Sequence, residues 1–422
     1  MLKIVHTADL HFGVTTYSKE TPDGLGSRVL DYFKTFTQIK DFIYENNVDI
    51  LLITGDIFKD REPNSTLRNK FYKEVLELSQ RGVICIIIPG NHDMHPFEIK
   101  DHNIKTLQIF DLENVYIMDK NFQELIIEKN NQKVRFISIP YPYPERILTL
   151  LDKKNISEEE MSLFFSNYIE QKINNMLESS PDIPTIIGAH LTMSEATVGS
   201  ERGIMLGRDI KVSLSAFLNP KISYVALGHI HKPQILNAKE PLISYCGSPD
   251  ILDFSEISDK KGFMYLEINE NKLIYSFINT KVRPFFEIKI NLTEFDENEN
   301  YEEKVFLNID RFINKVEKEG INFKSSIVRV LIYTTNIIKK NLDFKKIQEY
   351  IEKKCFYLSA INIEVIDNKK DFRIVDIDES TNPSEAFKKY LNSHLKYKDL
   401  KNKDQIIEKF NQLFMKNNNS LS

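Results

Sequence analysis

The sequence is poor in cysteine, in long apolar runs and in charge of one sign. Its three cysteines, Cys85, Cys246 and Cys355, lie far apart and form no C-x-x-C pair. That spacing argues against a disulfide framework or a zinc finger and fits a reducing cytosol. No apolar run approaches the roughly 20 residues that span a bilayer, so we expect no membrane association. The first residues, MLKIVHTADLHFG, lack the pattern of a signal peptide, and we expect none.

The charge balance excludes no class of partner. There are 56 basic and 61 acidic residues, which gives a net charge of −5. This balance does not indicate nucleic-acid binding, but a local basic groove could still bind a nucleic acid. With 41% hydrophobic and 28% charged residues, the composition is that of a globular protein, and 422 residues predict two or three domains.

The first half of the sequence alternates short apolar runs with amphipathic segments. Runs that we interpret as buried strands lie at 3–9, 49–56, 83–91, 133–140, 184–190 and 222–229. Helical patterns lie between several of them, at 29–45, 65–80 and 158–177. This alternation predicts an α/β domain. Shorter, hairpin-like strands are expected at 241–250, 262–268 and 272–279.

The character of the sequence changes near KVRP, residues 281–284. From 285 to 365 we expect a small α/β module with strands at 285–291, 327–334 and 361–365 and helices at 301–318 and 344–354. Residues 384–416 are expected to form two helices. An apolar face on the second helix comprises Ile406, Ile407, Phe410, Leu413 and Phe414. We find no internal repeat.

Polar residues of the kind that bind metals follow the apolar runs of the first half. They are Asp9 and His11 (ADLH), Asp56 (GDIF), Asn91, His92 and Asp93 (GNHD), His190 (GAH), and His229 and His231 (GHIH). Because ligands of open α/β sheets bind at the carboxyl ends of the strands, these residues could converge on one crevice. Any one of them alone would be an ordinary structural residue; together they predict a site.

Oxygen and imidazole donors without a thiolate suit Mn²⁺, with Mg²⁺, Fe²⁺ or Zn²⁺ as alternatives. There are too many donors for one ion. Two ions roughly 3.5–4 Å apart that share a carboxylate would use them all and could clamp a phosphate for in-line displacement. His92 is left over from ligation, and we expect it to donate a proton to the leaving oxygen. Asp93 could orient the His92 ring.

The ordered set D-x-H, G-D, G-N-H-D, G-x-H and G-H-x-H resembles the calcineurin-like metallophosphoesterases. The flanking segments HTADLHFG, HLTMSEATVGSER, GHIHKPQ, YCGSPDILDFSE and KVRPF resemble the Mre11/SbcD DNA repair nucleases, strongly over residues 1–285. The resemblance implies a four-layer α-β-β-α sandwich at 1–280, a small α/β capping, DNA-binding domain at 281–375, and a linker with partner-binding helices at 376–422.

The resemblance also implies roles. One metal would be held by Asp9, His11, Asp56 and His231, and a second by the bridging Asp56 with Asn91, His190 and His229. Relatives are Mn²⁺-dependent 3′→5′ exonucleases on duplex ends and endonucleases on single strands or hairpins. They work with an SbcC/Rad50-type coiled-coil ATPase, for which residues 384–416 would be the docking helices. A homodimer is implied, through 65–80 or 29–45, in the cytoplasm with the nucleoid.

The sequence departs from some relatives at Lys59, where they carry a histidine three residues after the bridging aspartate. This chain either does without that histidine or uses Lys59 as a phosphate contact. Arg61, Arg202 and Arg208 lie near site-forming loops, where they could contact phosphates or simply be solvated. His6, inside a strand, is expected to be a core or supporting residue, and His95 and His102 to be surface residues.

Other functions stay open. A phosphoprotein phosphatase usually has GDxVDRG and GNHE, whereas this chain has GDIFKDRE and GNHD. A small-nucleotide phosphodiesterase would share GNHD and GHxH but leaves YCGSPDILDFSE and the C-terminal third unexplained. A protein that binds DNA ends and loads an ATPase without catalysis is the third alternative, and the complete set of donor residues argues against it.

Overall fold

The computed structural model describes residues 1–22, 24–96, 101–151, 156–178, 182–199, 209–269, 272–293, 300–366, 382–393 and 402–418. The chain divides into two compact units. The first comprises Met1–Glu287, Asn314–Arg329 and Glu352–Ser359, and the second Ile288–Ile313, Val330–Ile351 and Ala360–Ser422. Within the described part of the chain, no helix has the length and apolar character needed to cross a bilayer. The domain boundaries expected after residues 280 and 375 stay a prediction.

The described strands are β1 (Leu2–Thr7), β2 (Ile50–Thr54), β3 (Ile84–Ile88), β4 (Val115–Ile117), β5 (Glu124–Lys129), β6 (Gln132–Ile139), β7 (Thr185–His190), β8 (Thr192–Met193), β9 (Lys211–Val212), β10 (Ile222–Gly228), β11 (Gln234–Asn237), β12 (Leu242–Tyr245), β13 (Gly262–Asn269), β14 (Lys272–Asn279), β15 (Phe285–Asn291), β16 (Ile327–Thr334) and β17 (Tyr357–Val365). The described α-helices are α1 (Ser27–Glu45), α2 (Ser65–Gln80), α3 (Thr106–Ile109), α4 (Pro144–Leu151), α5 (Glu158–Glu178), α6 (Tyr301–Lys318), α7 (Asn336–Asn341), α8 (Phe344–Glu352), α9 (Pro383–Ser393) and α10 (Lys403–Asn418).

Two six-stranded sheets form the first unit. One has the order β14-β13-β1-β2-β3-β4, the other β11-β12-β10-β7-β6-β5. In the first sheet β1 to β4 are parallel, and β13 and β14 are antiparallel additions. In the second, β6, β7, β10 and β12 are parallel, while β5 and β11 add antiparallel edges. The carboxyl ends of the central parallel strands therefore gather along one edge of each sheet.

The sheets stack face to face through a layer of mainly aliphatic side chains, among them Ile4, Leu52, Ile86, Phe136 and Ala226. Helices α1 and α2 cover the outer face of the first sheet, and α5 covers that of the second. The strands ILLIT and ICIII are buried along their whole length because both of their faces are covered. The expected four-layer α-β-β-α sandwich is thus confirmed.

A polar chain crosses the layer between the sheets. His6 of β1 lies 2.7 Å from the Tyr224 hydroxyl through Nδ1 and 2.8 Å from the Thr54 hydroxyl through Nε2. Tyr224 in turn lies 2.9 Å from the Ser244 hydroxyl. These residues come from β1, β2, β10 and β12, so the network ties the two sheets together. His6 is therefore a buried core residue, as expected.

A cluster of charges anchors α1 to the segments that follow β12 and β14. Arg28, fully buried, donates to the Asp250 carboxylate at 3.1 Å and to the main-chain oxygen of Ile251 at 2.7 Å. Arg283 of KVRP donates to both oxygens of Asp31, at 2.6 and 2.8 Å. Asp250 of GSPD and Arg283 of KVRP thus form ion pairs with one helix.

Strands β15, β16 and β17 form a three-stranded sheet in that order. In the second unit the Phe306 and Tyr350 rings stack with centroids 4.1 Å apart, and the Tyr350 hydroxyl donates to Asp310 at 2.7 Å. The expected pair of C-terminal helices is present as α9 and α10, whose Phe387 and Phe410 rings stack at 4.2 Å. The side chains of Leu413 and Phe414 lie outside the described residues.

Candidate two-metal active site

The polar residues singled out in the sequence come together at the carboxyl ends of the central strands. Asp9 and His11 follow β1, Asp56 follows β2 and Asn91 follows β3. From the second sheet, His190 ends β7, while His229 and His231 follow β10. All except Asn91 are buried, with at most 7% of their surface exposed. The convergence follows from parallel pairing, which places these strand ends at the same edge.

Two groups of donors result. Ligand atoms of Asp9, His11 and His231 lie within 4.8 Å of one another, and so do those of Asp56, His190 and His229. Asn91 joins the second group, since its Oδ1 lies 3.0 Å from His190 Nε2 and 3.1 Å from His229 Nδ1.

Asp56 lies between the groups. Its Oδ1 is 3.4 Å from His190 Nε2, and its Oδ2 is 3.8 Å from His11 Nε2. One oxygen therefore faces each group, which is the arrangement that a bridging carboxylate requires.

Four of these residues have left-handed backbone conformations. The φ angles are 53° at Asp9, 44° at His11, 51° at Asp56 and 97° at His229. A residue with a Cβ atom loses roughly 1–2 kcal/mol in this conformation. The strand ends turn abruptly at these positions, and the surrounding sandwich has to offset the strain.

The glycines of the motifs make room for the donors. A Cβ atom on Gly55 would lie 2.0 Å from His190 Nδ1, and one on Gly90 would lie 2.2 Å from Asp56 Oδ1. At Gly228 it would lie 1.9 Å from the main-chain oxygen of Thr54. The glycines of GD, GNHD and GHIH are therefore needed because neighbouring site residues and strands lie directly against the backbone at these positions.

In His190, His229 and His231, a hydrogen bond at one ring nitrogen selects the nitrogen that the ring presents to the site. His190 Nδ1 donates to the main-chain oxygen of Thr54 at 2.8 Å, which leaves Nε2 facing the site. His229 Nε2 lies 3.3 Å from Asp209 Oδ2, which leaves Nδ1.

His231 follows the same rule. Its Nδ1 donates to Glu256 Oε1 at 2.9 Å, and Nε2 lies 3.0 Å from His11 Nε2. Such partners fix the tautomer and the ring orientation of metal-binding histidines.

The electrostatics of the site favour a cation. Burial raises the pKa of Asp9 to about 6, which means that its charged form is costly in the protein alone. At Asp56 burial also acts to raise the pKa, but the neighbouring imidazoles, led by His190, outweigh it and hold the pKa well below its ordinary range. Burial and the Asp209 carboxylate raise the pKa of Tyr141, so its hydroxyl stays protonated and donates to Asp209 at 2.8 Å.

The donor set fits divalent metal ions. Two carboxylates, an amide oxygen and four imidazoles face one another, and the hydrogen bonds of His190 and His231 place the ring proton on the far side. Acceptor atoms brought this close repel one another unless a cation lies between them. Oxygen and imidazole donors suit the divalent ions from Mn²⁺ to Zn²⁺.

His92 lies beside the donors, with 28% of its side chain exposed. Its Nδ1 donates to the main-chain oxygen of Lys59 at 2.6 Å, so the other nitrogen is left for the cleft, where it lies 4.0 Å from Asp56 Oδ2. The expectation that Asp93 orients this ring is wrong in its geometry, since the main-chain oxygen of Lys59 takes that place.

The Asp93 carboxylate serves the loop instead. It accepts hydrogen bonds from the main-chain N–H groups of Gly90 at 2.9 Å, Ile57 at 3.0 Å and Phe58 at 3.1 Å. It therefore ties the turn after β3 to the turn after β2. A direct catalytic role for Asp93 stays a prediction.

A cleft of about 360 Å³ opens onto the donors. It is lined by the site residues His11, Asp56, Asn91, His92, His229 and His231, together with Val14, Thr16, Tyr17, Lys59, Leu252 and Asp253. Arg61 lies nearby and donates from Nε to the main-chain oxygen of Asn91 at 3.1 Å. Arg202 and Arg208 lie outside the described residues.

Sequence reasoning missed the supporting residues Asp209, Tyr141, Thr54, Glu256 and Lys261. Glu256 closes the segment YCGSPDILDFSE, so a signal existed without an assigned role. The expected surface position of His102 is wrong, because His102 is 7% exposed and its Nε2 lies 3.2 Å from Asp119 Oδ2.

Comparison with known proteins supports the resemblance. The chain is 27% identical over 282 residues to SbcD, a component of the nuclease SbcCD of Escherichia coli, in a match that covers 64% of this chain and 66% of that protein. It therefore spans just under two thirds of that relative. It is 25% identical over 401 residues to the SbcD component of the nuclease SbcCD of Staphylococcus epidermidis, covering 93% and 95% of the two chains.

An archaeal relative extends the comparison. The DNA double-strand break repair protein Mre11 of Sulfolobus acidocaldarius is 22% identical over 373 residues, covering 85% of this chain and 83% of that one. The resemblance to Mre11 and SbcD is thus confirmed. The family model of the calcineurin-like phosphoesterases matches residues 2–233, more than half of the 422, and the chain belongs to that family.

Proposed function

We propose that this protein is the nuclease component of a complex of the Mre11–Rad50 or SbcCD type that processes DNA ends by two-metal phosphodiester hydrolysis. The observation that carries the proposal is the pair of donor groups that share Asp56, with His92 beside them at the cleft. The names of the relatives supply the substrate class, since they are described as nucleases and as double-strand break repair proteins.

Asp9, His11, Asp56 and His231 would hold one ion, and Asp56, Asn91, His190 and His229 the other. We propose Mn²⁺ for both, with Mg²⁺ as the alternative, because the set mixes hard oxygen and borderline imidazole donors. When bound, a pair of divalent ions supplies Lewis acidity and neutralises charge on a phosphate.

His92 supplies the proton. The main-chain oxygen of Lys59 accepts from Nδ1, so Nε2 is the ring nitrogen left for the cleft. That nitrogen can protonate the leaving 3′ or 5′ oxygen of the cleaved strand. The Lys59 ammonium lines the same cleft and can contact a phosphate of the bound strand.

We propose 3′→5′ exonuclease activity on duplex ends and endonuclease activity on single strands and hairpins, as the resemblance implies. The capping domain, at 281–375, would add DNA contacts. Helices α9 and α10, which overlap the expected 384–416 segment, would bind the coiled-coil ATPase. We place the complex in the cytoplasm with the nucleoid.

We further propose a homodimer formed through α2 and the neighbouring segment at 103–110. Ile109 is 80% exposed and Phe110 is 58% exposed, so two large apolar side chains stand side by side at the surface. A hydrogen bond of 2.7 Å from Arg68 to Asn103 ties this segment to α2. Exposed apolar patches of this kind mark contact surfaces.

Cleavage of end-labelled duplex DNA by the purified chain tests the function. Reactions contain Mn²⁺, Mg²⁺ or EDTA, and His92→Ala is compared with His95→Ala, a matched histidine outside the cleft lining. We expect Mn²⁺-dependent cleavage that falls by ~10²–10⁴-fold in His92→Ala. A small chromogenic phosphodiester is assayed in parallel.

The alternatives predict different results. Hydrolysis of the small ester with DNA left intact, even after addition of the ATPase partner and ATP, would favour a small-substrate phosphodiesterase. Binding of DNA ends without hydrolysis of either substrate would favour a structural protein that loads the ATPase.

A further inference from the structure

The histidines of the two donor groups are supported by different residues. His231, in the group with Asp9 and His11, donates from Nδ1 to the Glu256 carboxylate at 2.9 Å. In the other group, His190 donates to a neutral main-chain oxygen and His229 lies against Asp209. The two ion sites can therefore be perturbed separately through their supports.

Glu256 is held in place by hydrogen bonds to the carboxylate oxygen that does not contact His231. It is 1% exposed, and its Oε2 accepts from Lys261 Nζ at 2.7 Å and from the Leu252 N–H at 2.9 Å. Lys261 is 4% exposed and also donates to Ser248 Oγ at 2.7 Å and to the main-chain oxygen of His231 at 3.4 Å.

A buried ion pair is a weak way to stabilise a fold, because desolvation of the two charges offsets most of their attraction. This pair lies directly behind a histidine of the site and contacts it twice, through the His231 ring and through its main-chain oxygen. A role in placing that ring accounts for the position of both charges.

We propose that Glu256 and Lys261 are positioning residues for the ion held by Asp9, His11 and His231. Glu256 keeps the proton on Nδ1 of His231 and so presents Nε2 to the ion, and Lys261 locks the carboxylate. A carboxylate that accepts a hydrogen bond from Nδ1 also makes the imidazole more basic, so that Nε2 binds a metal ion more strongly. The proposal rests on the proposed function, since it requires that the two groups bind ions.

Mn²⁺ titration of the whole chain, by calorimetry and by electron paramagnetic resonance of bound Mn²⁺, tests it. We expect two ions per wild-type chain. Glu256→Gln places an amide N–H against either His231 or Lys261, and we expect one ion to bind ~10–100-fold more weakly while the other binds normally. The double variant Glu256→Gln/Lys261→Met removes the opposing ammonium, and we expect Mn²⁺ binding to recover in part.

A variant in which one ion site is disabled shows which of the two sites Glu256→Gln affects. In a His190→Ala background one ion should remain in the Asp9 group, and adding Glu256→Gln should weaken that ion. Asp209→Asn is the matched control, since it should affect the other ion. If Glu256→Gln fails to fold, Glu256→Asp replaces it, because it keeps the charge for Lys261 but shortens the reach to His231.

Normal binding of both ions in a folded Glu256 variant would overturn the proposal, and so would equal weakening of both. Wild-type DNA cleavage is measured in the same preparation. If the wild type binds two ions and cleaves DNA, the proposed function stands whatever Glu256 does; if it does neither, the proposed function itself fails.

Discussion

Replacing His6 with glutamine isolates a proton-linked contribution to stability. The His6 ring is fully buried between the sheets, and each ring nitrogen lies within 2.8 Å of a hydroxyl group. Burial lowers the pKa of His6 from 6.5 to about 3. The ring is therefore neutral in the folded protein at pH values well above 3.

The direction of the pH dependence of stability follows from the unfolded state. There the pKa of His6 returns to 6.5, so below that pH the unfolded chain binds a proton that the folded chain does not. The stability that neutral His6 contributes is complete above pH 6.5 and is lost as the pH falls toward 3. The loss is about 1.4 kcal/mol per pH unit, or about 2 kcal/mol at pH 5.

The assay is urea unfolding at pH 7.5 and pH 5.0 in the presence of EDTA, so that metal binding does not contribute. Because the chain has no tryptophan, far-ultraviolet circular dichroism follows the transition. The difference in free energy of unfolding between wild type and His6→Gln should shrink by about 2 kcal/mol at the lower pH. His95→Gln, a half-buried histidine elsewhere, controls for other effects of histidine replacement. An unchanged difference at the two pH values would refute the argument from burial.

Other predictions concern the site and the surface. Gly90→Ala would place a Cβ atom 2.2 Å from Asp56 Oδ1 and should weaken Mn²⁺ binding, measured by calorimetry, by ~10–100-fold. The control Gly24→Ala has no atom of a non-adjacent residue within 4 Å of the added Cβ and should bind Mn²⁺ normally. Equal Mn²⁺ affinities of the two variants would contradict the argument. Asp93→Asn replaces one acceptor oxygen by an NH₂ group that faces main-chain N–H donors, and it should lower the free energy of unfolding by about 2–3 kcal/mol. An unchanged urea midpoint would argue against the role of Asp93 in the loop. Phe110→Asp should convert the proposed dimer to a monomer in size-exclusion chromatography with light scattering, and a dimer of unchanged mass would place the contact elsewhere.

The sequence predicted the sandwich and the donors because both are local patterns. A covered parallel strand is a continuous apolar run rich in β-branched residues, and its donors follow directly, as Asp56 follows ILLIT. The strands that sequence reasoning missed lie at edges. β5 is half-exposed and β4 has three residues, so neither shows a strong periodic pattern.

The supports of the donors could not be predicted in the same way. Glu256 lies 25 residues from His231 along the chain, and Asp209 lies 20 residues from His229. A carboxylate at such a distance has no local signature that marks its partner. The role expected for Asp93 failed for a related reason: adjacency in GNHD suggested a contact with His92, but the turn directs the carboxylate toward backbone amides.

The left-handed backbone at Asp9, His11, Asp56 and His229 has an evolutionary consequence. At each of these positions glycine would relieve roughly 1 kcal/mol of backbone strain, but it would remove a donor of the site. At Asp9 and Asp56 it would also remove the acceptor of the main-chain N–H groups of His229 and His92. A descendant released from selection for the proposed cleavage would be free to accept glycine at these positions. Aspartate and histidine at these four positions are therefore residues that backbone energetics alone would not favour.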